Sequence, residues 1–336
     1  MENIEGSTGE KNIVNISEMK AEKEIKKQDK NVNFDFFQVW KISDSNTEIF
    51  DLDDWAQRLP SVLDKRNIRY SGDTIRCDSY GVHSPEKNPL SILHFARLRD
   101  HNVPAVATLN TPELSDVKLE ANEYIAEDVS ALFDSTNGVL MLQKNIFSLS
   151  VYSLVTYVNY FWNLNKDEKD MEQIEIRPIL RKDAFKLGLN AKKINKLKVK
   201  TGNIVRGTNI NNKFESGLGK VFDVLTKYNG VSIEVTISTT RSKDSVLDKE
   251  AVHDSLKEIQ AAQGDFKKAT IVSGDTGVSV PIELIKSRIT TSKIFSIPVK
   301  AFLNPDKVQE YMLQEYSPSY KNFKKQVESN LEKIPK

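Results

Sequence analysis

The chain has 336 residues, of which 39% are hydrophobic and 28% are charged, and its formal net charge is +1. This length predicts more than one domain, each large enough for its own core. Because 48 Lys and Arg residues oppose 47 Asp and Glu residues, the chain as a whole is not attracted to polyanions. Any such attraction must be local.

Cysteine use and apolar runs indicate where the protein is expected to reside. The single cysteine, Cys77, cannot form an internal disulfide and has no partners for a zinc cage, which fits a reducing cytoplasm. The N-terminus shows no basic segment followed by an apolar core, so no signal peptide is predicted. The longest apolar run, Leu149 to Trp162, is too short for a bilayer, which needs about 20 residues. We expect a cytoplasmic protein without membrane contact.

The predicted fold class is α+β, in five segments. Residues 1–32 contain no aromatic residue and interleave both charges, which predicts a disordered N-terminal arm. Deleting residues 1–30 should therefore leave the thermal transition almost unchanged. The remaining segments are a β-rich N-terminal domain with a hairpin and a helix (33–165), a linker (166–172), an α/β-type C-terminal domain of alternating strands and helices (173–300) and a helical C-terminal tail (301–336).

The first elements are read from aromatic runs and capping signals. An aromatic-rich strand is predicted to begin at Asn33. A short helix over Asp53 to Leu63 is expected to begin near Asp51 or Asp53 and to end near Pro60. Two β-rich stretches follow, around Ile68 to Cys77 and Ser91 to Arg99.

The strongest local signal is the Asn137-Gly138 pair between two apolar runs. Asn-Gly is typical of a type I′ turn, in which both residues have positive φ, so the pair predicts a hairpin. The helix expected from Ser150 to Trp162 carries an apolar stripe that favours a core-facing role over a membrane or partner-binding one. The stripe consists of Val151, Leu154, Val155, Val158 and Trp162.

Strands and helices alternate in the predicted C-terminal domain. The expected strands are Gln173 to Leu180, Ile194 to Lys200, Ser232 to Ser238, Ala269 to Ser273, Val278 to Val280 and Ile294 to Ile297. The expected helices are Lys182 to Leu189, Gly219 to Tyr228, Ser245 to Ala262 and Ile282 to Arg288. The strand order is not readable from these patterns.

The clearest local charge feature is a basic segment. Residues 177–206 contain ten Lys and Arg residues and one acidic residue. Such a segment can neutralise several phosphates, and each phosphate contact makes binding salt-dependent. The candidate nucleic-acid-binding residues are Arg181, Lys182, Lys192, Lys193, Lys196, Lys198 and Lys200.

The last three of these lysines lie two residues apart on one predicted strand. A strand would place Lys196, Lys198 and Lys200 on one face, while Leu197 and Val199 face the core. The alternative interpretation is a solvated edge strand that lysines protect from pairing.

An acidic segment opposes the basic one. Between residues 110 and 134, seven acids accompany a single lysine. Docking of the acidic segment on the basic one would explain both charged segments without a catalytic or metal-binding role. A magnesium site would need the carboxylates to converge from different elements. The acids are Glu113, Asp116, Glu120, Glu123, Glu127, Asp128 and Asp134.

No catalytic motif is complete. The four histidines show no zinc-ligand spacing, and Gly217 to Lys220 lacks the flanking residues of a phosphate-binding loop. Glu234 stands where a restriction-type nuclease strand carries Glu, but Thr236 replaces the expected Lys. No cofactor and no metal are predicted.

The stretch from Glu127 to Asn145 reads E-D-x-S-A-L-F-D-x-x-N-G-V-L-M-L-Q-K-N. It resembles an uncharacterised prokaryotic and phage-associated family, the domain of unknown function 6731. The resemblance implies a cytoplasmic bacterial protein, often carried by mobile elements, with a role in phage–host conflict. It supplies no catalytic residues.

Three functions are consistent with these observations. The first is a non-enzymatic binding protein, in anti-phage defence or phage counter-defence, that recognises nucleic acid or a protein partner. The second is a divergent metal-dependent nuclease that uses Glu234 with acids from Glu123 to Asp134. The third is a homo-oligomeric scaffold. The expected partners are therefore DNA or RNA, a protein, or a second copy of the chain.

Overall fold

The fold is taken from a computed structural model that describes residues 26–43, 46–83, 89–201, 215–225, 232–240, 245–263, 266–274, 280–317 and 323–332. These residues form a nine-stranded sheet, a four-stranded sheet and a two-stranded ribbon. Strand pairings are antiparallel throughout the three sheets. The predicted α+β class is confirmed.

The elements are numbered along the chain. The strands are β1 (Lys27–Ile42), β2 (Thr47–Ile49), β3 (Ile68–Tyr70), β4 (Asp73–His83), β5 (Leu90–Arg99), β6 (Val106–Ala107), β7 (Leu114–Ser115), β8 (Ile125–Asp134), β9 (Val139–Lys144), β10 (Gln173–Pro178), β11 (Ile194–Thr201), β12 (Glu234–Ser238), β13 (Phe266–Ser273), β14 (Val280–Glu283) and β15 (Thr290–Pro298). The helices are α1 (Leu52–Gln57), α2 (Val151–Trp162), α3 (Ala184–Asn190), α4 (Gly217–Leu225), α5 (Lys249–Ala261), α6 (Pro305–Glu315) and α7 (Phe323–Ser329).

The large sheet is built around β1, which is long enough to pair with two strands on each side. Its first half pairs with β15 and its second half with β10 along one side, while β9 and then β2 pair along the other. The remaining strands follow β9 in the order β8, β5, β4 and β3. Strands from distant parts of the sequence therefore meet on β1.

Both faces of the large sheet are buried, which explains the nearly continuous apolar run in β1. Phe37 and Val39 face a core covered by α1 and α2, and Phe34 and Phe36 face a second core covered by α6 and α7. The predicted core-facing role of α2 is confirmed. The Trp55 indole N–H of α1 donates a hydrogen bond of 3.1 Å to the Val158 carbonyl of α2, so this bond joins the two helices.

The small sheet has the strand order β12-β11-β13-β14. Helices α3, α4 and α5 pack on one of its faces, against Leu197 and Val199 of β11 and Ile271 of β13. Helix α5 begins after Asp248, whose side chain accepts a hydrogen bond of 2.8 Å from the Ala251 N–H. The helix therefore begins after Asp248 and not at Ser245, where the sequence predicted its start.

The two sheets do not coincide with the two domains predicted from the sequence. Strands β10 and β15 fall within the segment predicted as the C-terminal domain, yet both pair with β1 in the large sheet. Residues 27–32 were expected in the disordered arm but belong to β1, because they pair with β15. Residues 1–25 of that arm lie outside the described residues. The helix predicted over Ile282 to Arg288 is wrong, since Ile282 belongs to β14.

The hairpin predicted at Asn137-Gly138 is confirmed, because β8 pairs with β9, but its turn is not of type I′. Of the Asn137-Gly138 pair only Gly138 has positive φ (67°), and residues 135–138 form a four-residue loop between β8 and β9. A Cβ on Gly138 would lie 2.5 Å from Ile49 Cγ2, so the glycine also permits close approach of β2. The two-residue turn with both φ values positive is Ser71-Gly72, between β3 and β4.

Candidate functional site

Three lysines of β11 share the sheet face opposite α3, α4 and α5, as the sequence predicts. We call Lys196, Lys198 and Lys200 the lysine face. Between them Leu197 and Val199 are fully buried against the helices. The side chains of Lys198 and Lys200 are 39% and 45% exposed.

The lysine face lies in the middle of the small sheet and not at its edge. Strand β11 pairs with β12 on one side and with β13 on the other. The edge-protection interpretation is therefore wrong. Polar residues flank the lysines: Thr236 lies opposite Lys198 on β12, and Thr270 lies opposite it on β13.

Two glutamates reduce the positive charge of this surface. The Glu234 carboxylate lies 2.7 Å from Lys198 Nζ and 3.9 Å from Lys200 Nζ. The hydrogen bond from Lys198 lowers the pKa of Glu234, so this carboxylate is ionised at neutral pH. In the next strand pair, Lys268 lies 3.8 Å from Glu283. Together with Lys268, the lysine face brings four lysines to this side of the sheet. Glu234 and Glu283 oppose them, which leaves a net charge of about +2.

The other predicted residues do not all belong to this surface. Arg181 Nε lies 3.4 Å from Asp183 Oδ1. Lys182 Nζ donates a hydrogen bond of 2.9 Å to the Leu331 carbonyl, and its backbone N–H donates to Asn330. Lys182 therefore borders the C-terminal segment, whereas Arg181 pairs with a neighbour in its own segment. Lys192 and Lys193 are exposed and directly precede β11.

Among the described residues, no ion pair joins the acidic segment to the basic one. Three of its carboxylates contact side chains of other elements: Glu127 accepts from Arg99 (3.3 Å), Asp128 lies 3.2 Å from His94 Nε2, and Asp134 lies 2.7 Å from Lys324 Nζ. Within the described ranges, no group of three or more His, Cys, Asp or Glu side chains is arranged to hold a metal ion. Glu234 lies in the small sheet and faces lysines, whereas Asp128 and Asp134 lie on β8 of the large sheet.

Three charged side chains and one imidazole form a line across the large sheet, and the sequence did not indicate it. Arg76 donates to Asp78 (2.5 Å), Asp78 lies 3.7 Å from His94 Nδ1, and His94 Nε2 lies 3.2 Å from Asp128. We call these four residues the charged line. They come from β4, β5 and β8, so only the strand pairing brings them together. No local motif could have found them.

The single thiol is buried in the large core. Cys77 is fully buried, and burial raises its pKa to about 12. A thiol with such a pKa is protonated at neutral pH and is a poor nucleophile.

The fold and the lysine face define an α+β protein with a large and a small antiparallel sheet. The small sheet carries a basic surface on the face opposite its helices. The chain belongs to a family of unknown function (DUF6731), whose model matches residues 27–327. The resemblance seen around Glu127 to Asn145 is thereby confirmed. A search of curated proteins finds no match. In the described residues, no helix has the length and apolar character needed to cross a membrane.

Proposed function

We propose that this chain is a non-enzymatic binding protein that contacts nucleic acid through the lysine face. The observation that carries the proposal is the parallel display of Lys196, Lys198 and Lys200 on a central strand whose other face is packed by helices. A flat row of ammonium groups can follow a phosphate backbone. Binding would require Glu234 to share its lysines with phosphate, which limits the affinity.

The proposed contact is independent of base sequence. The paired residues around the lysine face are Thr, Ser, Val, Pro, Lys and Glu, and none is aromatic. The described strand residues of this face therefore offer no aromatic ring on which a base could stack. Phosphate contacts from lysine position a ligand without reading its sequence.

The test is a triple replacement of Lys196, Lys198 and Lys200 by Gln, with binding to duplex DNA and to RNA measured between 50 and 200 mM salt. Wild-type affinity should fall with a log–log slope of roughly −3 if three phosphates are contacted, at about −0.9 each. The variant should lose this slope and most of the affinity. Glutamine keeps the fold because Leu197 and Val199 remain in the core.

A matched control replaces three exposed helical lysines, Lys249, Lys307 and Lys325, by Gln. This control removes the same charge and should bind like wild type. If wild type shows no salt-sensitive binding, the nucleic-acid proposal is wrong and a protein partner becomes the better candidate. Cleavage of DNA or RNA that a chelator abolishes would favour the nuclease instead.

We extend the proposal to a cytoplasmic role in phage–host conflict, which rests on the family context. Plaque counts on cells that express wild type or the lysine-face variant measure this role. If plaque counts are equal on cells that express wild type, cells that express the variant and cells that express neither, the proposed role in phage–host conflict is wrong. The scaffold alternative gains nothing from α2, since Leu154, Tyr157 and Val158 of that helix are buried in the core.

A further inference from the structure

A cavity of about 580 Å³ lies at the β3 end of the large sheet. It is bounded by β3, β4, β5 and β8 and by the loop that precedes β8. Its volume falls within the range of small-molecule sites, about 300 to 1,000 Å³. Most of its lining surface is polar, which indicates a polar ligand. The lining residues that matter here are Asp64, Asn67, Arg69, Arg76, Asn122 and Tyr124.

Two arginines supply the cation that an anionic ligand needs. Arg76 is mostly buried, with its side chain 20% exposed, and its Nε donates to Asp78 in the charged line. Its two Nη groups have no hydrogen-bond partner among the described residues. Arg69 donates from Nη1 to Asp100 Oδ2 (3.2 Å) and to Thr74 Oγ1 (3.3 Å), and its side chain is 63% exposed. A guanidinium fixed through Nε presents its Nη edge to a phosphate or carboxylate in a defined direction.

The remaining lining groups fit a nucleoside and not a bare anion. The Tyr124 ring is 41% exposed and offers a face for stacking. Asn67 and Asn122 carry amides that can donate and accept, as base edges and sugar hydroxyls require. The Asp64 carboxylate repels a free anion but accepts hydrogen bonds from hydroxyl or amino groups.

We propose that this cavity binds a nucleoside phosphate, with the phosphate on Arg76 and Arg69 and the base against Tyr124. The ligand is either a free mononucleotide or the phosphorylated end of a strand. The site is separate from the lysine face, because its lining residues belong to the large sheet and the lysine face to the small sheet.

Calorimetric titration with the four ribonucleoside 5′-monophosphates tests the proposal. At least one should bind, and the matching nucleoside and inorganic phosphate should bind about tenfold or more weakly, since each lacks one half of the contacts. Arg76→Gln should weaken the nucleotide by about tenfold or more. Arg58→Gln is the control, because Arg58 also pairs with a surface carboxylate, Asp54, outside the cavity.

A second variant keeps the test valid if Arg76→Gln disturbs the charged line. Tyr124→Leu should weaken the nucleotide and leave inorganic phosphate unchanged. Competition by a 5′-phosphorylated oligonucleotide, but not by the same strand with a 5′-hydroxyl, would identify a strand end as the ligand. No binding of any mononucleotide at millimolar concentration, or equal binding of inorganic phosphate, would overturn the proposal.

The outcome is independent of the proposed function. The lysine-face variant should bind mononucleotide like wild type, and Arg76→Gln should keep the salt-dependent polynucleotide binding of wild type. If both variants lose both activities while remaining folded, the two sites are one surface and this inference is wrong. Loss of only one activity in each variant supports two separate sites.

Discussion

A single carboxylate, that of Glu172, joins three elements at one end of the large sheet. It accepts hydrogen bonds from Lys166 Nζ (2.8 Å) and the Trp162 indole N–H (2.9 Å), and it lies 3.1 Å from Lys41 Nζ of β1. The hydrogen bond from Lys166, followed by that from Lys41, lowers the pKa of Glu172 to about 2. The contact thus connects the end of α2 to β1.

We predict a pH-dependent loss of stability in Glu172→Gln. A folded-state pKa below the ordinary value of 4.5 means that the carboxylate stabilises the fold above pH 4.5 and loses this effect as the pH falls toward 2. The variant should be less stable at pH 7 by about 1–2 kcal/mol, allowing for solvent screening. This difference should shrink as the pH is lowered from 4.5 toward 2.

Urea unfolding across this pH range measures the difference. The control is Glu168→Gln, on the same loop and exposed, which should match wild type. A difference between Glu172→Gln and wild type that stays constant from pH 7 to pH 3 would show that the charge of Glu172 is not the cause.

At the scale of elements, α7 is held on the large sheet by a buried ion pair. Lys324 Nζ lies 2.7 Å from Asp134 Oδ2, and the two side chains are 7% and 0% exposed. The same ammonium lies 5.2 Å from the centre of the Tyr316 ring. Val327 of α7 is fully buried in the same core. A short helix therefore depends strongly on one charged contact.

We predict that Lys324→Met destabilises the protein by about 3–5 kcal/mol, because it leaves the Asp134 carboxylate buried without its cation. Chemical denaturation measures the free energy of unfolding. The matched control is Lys325→Met, one residue along the same helix and exposed, which should change stability by less than about 0.5 kcal/mol. Equal effects of the two variants would mean that the ion pair does not hold α7.

Local patterns predicted the elements that depend on neighbouring residues. The alternation in β11 and the apolar stripe of α2 followed from spacing, and both are confirmed. The Asn137-Gly138 pair does not form a type I′ turn, because the loop between β8 and β9 has four residues and only Gly138 has positive φ. The close approach of Ile49 explains why position 138 is a glycine. The Ser71-Gly72 turn carries a weaker sequence signal, since serine is less typical of positive φ.

At the scale of the whole molecule, the sequence did not predict contacts between residues that lie far apart along the chain. The lysine face was predicted because its residues lie on one strand. The charged line was missed because Arg76, His94 and Asp128 meet only through the pairing of β4, β5 and β8. The arm boundary was misjudged for the same reason, since residues 27–31 are polar and exposed and are ordered only by β15.

The pairing of β1 with β15 closes the molecule, because it joins the first described strand to the last one. Residues 27–31 pair in order with residues 298–294, and the Val299 N–H donates to the Lys26 carbonyl at 2.9 Å. All five side chains are exposed. Their contribution to stability therefore comes from backbone hydrogen bonds, each worth about 0.5–1.5 kcal/mol.

We predict that removing residues 1–31 lowers the melting temperature by about 4 °C or more, because several ladder hydrogen bonds are lost. Removing residues 1–25 should leave the melting temperature within about 1 °C of wild type, since that truncation spares the whole of β1. Differential scanning calorimetry on both truncations separates the two contributions. Replacing Lys27 and Lys30 by Gln in the full chain should also have no effect, because only their backbone groups pair with β15. If the two truncated proteins have the same melting temperature, the β1–β15 ladder does not stabilise the fold. The prediction from composition, that deleting residues 1–30 leaves the thermal transition almost unchanged, would then hold.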